Sequence, residues 1–196
     1  MAKTRETKTI SQFKGALIGG GARPNLFEVE LTTLPDAIAG WQAESFRYMC
    51  KAASLPASNI AAIDVPFRGR IFKVAGDRTF DTWTVTIIND EGFVLRKAFE
   101  EWMDVISKLE NNLGATSPGA YMTNAKVFQL GRGSEATSKT SDGDKNVVLR
   151  EYEFVDIFPT NISAIDLSYE SSDTIEEFTV EFQVQSFSLA GNGAAD

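Results

Sequence analysis

The chain has 196 residues, 43% hydrophobic and 23% charged, with a net charge of −8, one cysteine and no histidine. That balance is typical of a globular domain that buries its core without covalent staples, and it excludes a disordered, fibrous or disulfide-framed chain. The missing histidine removes the usual general base near neutral pH and every Ser–His or Cys–His pair, and with a single cysteine it argues against structural zinc.

In chain order, residues 1–23 read as a flexible arm ending in the three glycines Gly19, Gly20 and Gly21. Consecutive glycines cost backbone entropy and specify no element. The arm carries five basic residues (Lys3, Arg5, Lys8, Lys14, Arg23) and one acid, Glu6. It lacks the apolar core of a secretory signal, and no run in the chain approaches the ~20 residues of a membrane-spanning helix, so folding in a reducing cytoplasm is expected. A single β domain over 24–188 is expected to follow, with a tail at 189–196 too small and glycine-rich to pack.

LFEVELTTL alternates Phe27, Val29 and Leu31 against Glu28 and Glu30, the pattern of a half-buried strand. ESFRYMCKAASL reads as a second strand, placing Cys50 among its inward residues as a buried, inert thiol. PASNIAAIDVP, bounded by Pro56 and Pro66, reads as a loop, and FRGRIFKVAG as a third strand. AGDRTFD then reads as a turn in which Asp77, Arg78 and Asp81 fix the backbone through hydrogen bonds and ion pairs. In the fourth strand, DTWTVTIIND, Trp83, Val85 and Ile87 oppose three threonines.

A helix over about 91–113 is expected between the N-cap candidates Asn89 and Asp90 and a stop at Gly114. Phe99, Trp102, Ile106, Leu109 and Leu113 form its apolar stripe, which must pack against something because each large side chain is worth about 1.5–3 kcal/mol when buried. AKVFQL and NVVLREYEFVDIF read as strands flanking a mobile loop over 131–146, with a turn at Pro159–Thr160–Asn161. SAIDLSY and EEFTVEFQV read as the last strands, the latter with Phe178, Val180, Phe182 and Val184 on one face. About eight strands and one flanking helix without βαβ alternation predict an antiparallel β-sandwich or barrel.

From Glu151 to Asp196 the chain has ten acids and no Lys or Arg, a poor surface for gripping phosphates. GALIGGGAR lacks the Lys-Ser/Thr of a phosphate loop and reads as a hinge. Asp142, Asp144, Asn146 and Glu153 match ligand positions of a calcium loop, but Val147 stands where that loop needs glycine. The Asn161 sequon is idle without secretion. No carboxylate pair stands out as an acid/base couple. Neither a catalytic site, a metal site nor a cofactor is expected.

ARPNLFEVEL (22–31), CKAASLP (50–56), VAGDRTFDTWTVTIINDE (74–91) and FPTN (158–161) resemble, in order, the tail tube proteins of contractile-tailed, T-even-like bacteriophages. The likeness runs over most of residues 22–187. It implies a structural virion subunit forming hexameric rings, stacked into a hollow tube inside a contractile sheath, through which genomic DNA passes without sequence-specific binding. Sheath, baseplate and tail-terminator proteins would be its other partners, with no membrane anchor. On that footing Ile60, Ile63, Phe67, Arg68 and Arg70 of the 54–70 loop are candidates for reaching an adjacent ring. Asp77, Arg78 and Asp81 would orient the turn, and Glu177 and Glu181 would meet the sheath. By the same analogy the second, third, fifth and sixth strands would wall the channel. A bacteriocin or type VI-like tube subunit shares this architecture. A monomeric ligand-binding β-sandwich would instead gather exposed aromatics in one concave cluster, and an enzyme is the most remote reading.

Overall fold

Inward alternation on two strands, Trp83–Ile88 and Glu177–Gln183, organises the molecule: every second residue on each is buried. In the computed structural model, which describes residues 8–17, 21–31, 33–35, 38, 40–131 and 147–190, these two strands are the antiparallel neighbours β5 and β8. Among the described residues the α-helices and strands run in the order α1 (Ile10–Ala16), β1 (Phe27–Glu30), α2 (Ala43–Met49), β2 (Cys50–Ala53), β3 (Ser58–Phe67), β4 (Arg70–Phe80), β5, α3 (Val94–Ile106), β6 (Thr123–Leu130), β7 (Val148–Ile162), β8 and β9 (Ser186–Ala190).

Seven strands form one antiparallel path, β1-β6-β7-β8-β5-β2, with β9 also on β7, while β3 and β4 form a separate two-stranded sheet. Strand β7 belongs to both halves of the path. Its first part pairs with β6 and β9, and Phe158 to Ile162 pair with β8. The strand bends at Asp156, whose φ of 54° is left-handed and whose N–H is donated to the Asn124 side chain. A bulge of this kind lets one strand turn the corner of a sandwich. The two halves then face each other, and Trp83 of β5 stacks on Phe154 of β7 with ring centroids 4.7 Å apart.

Helix α3 closes this core. Leu95, Ala98, Phe99 and Trp102 are buried; Phe99 meets Phe178 and Phe182 of β8 edge-on, and Trp102 donates its indole N–H to the Tyr121 carbonyl. The expected fold class is therefore the observed one, with nine strands and three α-helices among the described residues.

Several element expectations are corrected. The second predicted strand is half helix. Phe46 is buried and Met49 packs on the core, a three-residue spacing that suits α2, whereas Tyr48 is exposed. The long helix ends at Ile106, so Leu109 lies beyond it and is 91% exposed. Its N-cap is Phe93, in a left-handed conformation, in place of Asn89 or Asp90, although Asp90 still accepts the Val94 N–H. Gly114 is not the expected stop, since Ser107 caps the helix; it lies eight residues past Ile106, packed so closely on the Ile106 carbonyl that no Cβ would fit.

Pro159–Asn161 is no turn, because β7 runs through it with a register shift. SAIDLSY is irregular, and β9 extends to Ala190, past the expected domain end at 188. Within the predicted arm, α1 is capped by Thr9, with Gln12 reciprocating. The 132–146 part of the predicted loop, the calcium candidates Asp142, Asp144 and Asn146, and the tail from 191 lie outside the described residues.

Candidate functional site

The segment expected as a loop over 54–70 and the one expected as a turn at 75–81 together make the long hairpin β3–β4. Its two-residue connection is Arg68–Gly69, both at positive φ (46° and 82°), the backbone that twists in register with two antiparallel strands. Cross-strand partners include Ile63 with Val74, Val65 with Phe72 and Phe67 with Arg70. Directly paired residues share a face, so Ile63, Val65, Phe67, Phe72 and Val74 make one apolar surface. On the other face Lys73 pairs with Asp64 at 3.0 Å.

Every residue of β3 and nearly all of β4 are exposed. A two-stranded ribbon with no core of its own is at best marginally stable in water, and no described residue of this chain covers this face.

One ring contact holds the base of the ribbon to the sandwich, and two hydrogen bonds close the base itself. Phe80 meets Phe187 of β9 edge-on at 5.2 Å, Asp81 donates its N–H to the Ala57 carbonyl, and the Asp81 carboxylate accepts from Asn59. The Asp77–Arg78–Asp81 expectation thus resolves differently from a turn. Asp77 and Arg78 lie inside β4, no ion pair joins them among the described residues, and Asp81 alone clamps the hairpin base. Gly76 sits where the register shifts between Ile60 and Ala62. A Cβ there would stand 3.0 Å from the Ala61 carbonyl and 3.1 Å from Ile63 Cγ1, so the glycine marks a bulge with close backbone approach.

Of the candidate contact residues, Ile63 and Phe67 share the apolar face. Alternation along β3 puts Ile60 on the opposite one, and Arg68 and Arg70 lie at the tip. Val65, Phe72 and Val74 were missed. The signal was present in the alternation of IDVPF and RIFKV, but Pro66 read as a boundary; proline is tolerated in a strand that faces solvent.

The other candidates lie on the body. Phe99 and Trp102 are in the core and Ile106 packs at its edge, whereas Leu109 does not pack. Glu177 is half-buried and ion-paired to Lys51, while Glu181 makes no ion pair among the described residues.

The outward face of β1, β6 and β7 aligns Glu30, Lys126 and Glu153 across the strands, beside Glu28 and Glu151. Lys126 donates to Glu151 at 2.8 Å, and that bond, with the surrounding carboxylates, raises its pKa above the ordinary lysine value. Arg47 pairs with Glu28.

Burial pushes the Cys50 thiol up to about 12, which makes it a poor nucleophile. Among the described residues no three His, Cys, Asp or Glu side chains gather to hold a metal, and no described helix is long and apolar enough to cross a membrane.

A further concavity, about 630 Å³, opens in the irregular segment 163–176. Its ends are held by Arg96, which donates to the Ser163 carbonyl, and by Asn89, which donates to Glu176.

A family model described as phage tail tube protein matches residues 22–190. The tail tube protein gp19 of Enterobacteria phage T4 is 36% identical over 162 residues, covering 83% of this chain and 88% of its own. That of Enterobacteria phage T6 is 35% identical over the same shares. In fold, the chain is similar to a component of the PVC sheath–tube complex of an extracellular contractile injection system in the extended state. The TM-score there is 0.59 at 11% identity, covering 94% of this chain and 99% of that one. By the family match and these identities, the chain belongs to the phage tail tube protein family, whose members are structural tube subunits.

Proposed function

We propose that this tube subunit forms hexameric rings that stack into a hollow conduit for DNA ejection inside a contractile sheath. The observation that carries the reading is the uncovered apolar face of the β3–β4 hairpin. A stack of rings supplies the missing partner, with Ile63, Phe67 and Phe72 packing on a subunit of the adjacent ring and Arg68 and Arg70 at the leading tip. Closing the ring also pairs the open sheet edges, which a lone subunit would leave as aggregation templates.

The channel wall is best supplied by the outward face of β6 and β7. Its carboxylates outnumber its cations, and Lys126 and Arg47 are each engaged by a glutamate. Such a wall lets a polyanion slide, because a lysine or arginine bound to each phosphate would hold it. Glu181 is the better candidate for meeting the sheath, since Glu177 is already held by Lys51. Baseplate and terminator proteins would cap the two ends of the stack, with assembly in the host cytoplasm.

Negative-stain electron microscopy of untagged protein, fresh and after concentration, tests the reading. Six-fold rings or hollow tubes are expected. Small single particles at every concentration, even with a baseplate template added, would overturn it.

A further inference from the structure

Exposed apolar features beyond the hairpin include helix α1 and the cleft in segment 163–176. In α1, Ile10, Phe13 and Leu17 follow the spacing of a single helical stripe, and Ile10 and Phe13 are 75% and 65% exposed. A seven-residue helix is too short to persist alone in water, even with the reciprocal Thr9–Gln12 cap. It is a local structure waiting for a surface. Lys8 precedes the helix and Lys14 flanks the stripe, within an arm of net positive charge.

The cleft has the opposite character. Ile165, Leu167 and Ile175 line it, Leu167 and Ile175 being exposed, and Tyr169 beside them stands free in solvent. From Ser163 to Glu177 there are five acids (Asp166, Glu170, Asp173, Glu176, Glu177) and no Lys or Arg. Asp166, Glu170 and Asp173 form no ion pair among the described residues. The cleft volume, about 630 Å³, lies within the ~300–1,000 Å³ of concavities that take a small ligand, enough for a few apolar side chains.

We propose that α1 of one subunit docks in the 163–177 cleft of a second copy of this chain, with Ile10, Phe13 and Leu17 in the cleft and Lys8 and Lys14 against its acidic rim. Apolar character and opposite charge meet in the same place, and neither surface is covered by its own chain among the described residues. A clasp of this kind would tether neighbours independently of the hairpin, and opposite charges would steer the encounter. The inference rests on the tube-subunit reading for its setting, but not for its test.

Ala16→Cys, at the border of the stripe, and Ser168→Cys, on the cleft, are placed in separate full-length Cys50→Ser chains. The two are mixed, concentrated and treated with a bis-maleimide. Proximity within a complex should raise the yield of covalent heterodimer about tenfold over Ala16→Cys mixed with Leu109→Cys. Lys8→Glu with Lys14→Glu should lower that yield roughly tenfold, and Asp166→Lys with Glu170→Lys on the cleft chain should restore it.

Rings or tubes by microscopy with linking no higher than the control would overturn the clasp and leave the tube reading intact. Linking without rings or tubes would support the clasp and count against the tube reading, and the absence of both would overturn both. Unchanged yield on charge reversal would overturn the match from which the clasp is built.

Discussion

Replacing Phe67 and Phe72 together by threonine separates the hairpin's role in assembly from its role in folding. Both rings lie on the apolar face, and they are 65% and 67% exposed in the single chain. Fully burying a large apolar side chain is worth about 1.5–3 kcal/mol, so covering the exposed two-thirds of each ring would contribute about 1–2 kcal/mol, or ~2–4 kcal/mol for the pair. At ~1.4 kcal/mol per factor of ten, each subunit contact should weaken roughly 30- to 700-fold.

Threonine keeps β-propensity and preserves the cross-strand pairing. The sandwich core lies elsewhere, so the thermal midpoint of the dispersed subunit should move little, as is usual for surface substitutions. Sedimentation velocity across a concentration series gives the assembly threshold, and a thermal melt gives the fold. A double variant that assembles at the wild-type concentration would refute the assignment of the hairpin face. So would a variant whose melting falls together with its assembly, because the rings would then be supporting the subunit itself.

Other expectations address the body of the molecule. Trp83→Ala removes the ring stacked on Phe154 and should cost about 3–5 kcal/mol in denaturant unfolding. Gly114→Ala forces a methyl into the Ile106 carbonyl and should cost about 1–3 kcal/mol, read by the same titration; wild-type stability would show that the helix end is free to move. Cys50 should react with a chromogenic disulfide at pH 8 far more slowly in the native protein than in urea. A thiol held near 12 instead of 9.0 has roughly a thousand-fold less thiolate. Folding thus favours the protonated thiol, so its contribution to stability is complete below pH 9 and falls as pH rises from 9 towards 12. Equal native and denatured labelling rates would place Cys50 in solvent.

By itself, the sequence determined the elements whose periodicity reports a buried face. Trp83, Val85 and Ile87, and likewise Phe178, Val180 and Phe182, alternate because one side of each strand meets the core, and Phe99 and Trp102 recur at helical spacing for the same reason. The ordered motifs around ARPNLF and VAGDRTFD also carried the family, since they depend on the identity of the residues.

Only the tertiary structure decided what the exposed segments do. β3 and β4 have no buried face in the single chain, so Pro66 and Gly76 read as punctuation although one lies in a solvent-facing strand and the other at a bulge. Phe46 and Tyr48 alternated by coincidence, because in α2 Phe46 is buried and Tyr48 points to water. Leu109 continued the stripe in sequence, but the chain had already reversed where Gly114 lies against Ile106. Pairing Asp64 with Lys73, closing the hairpin at Asp81 and setting an acidic cleft apart from a basic helix all require residues distant in sequence to be placed in space, and no local pattern encodes those distances.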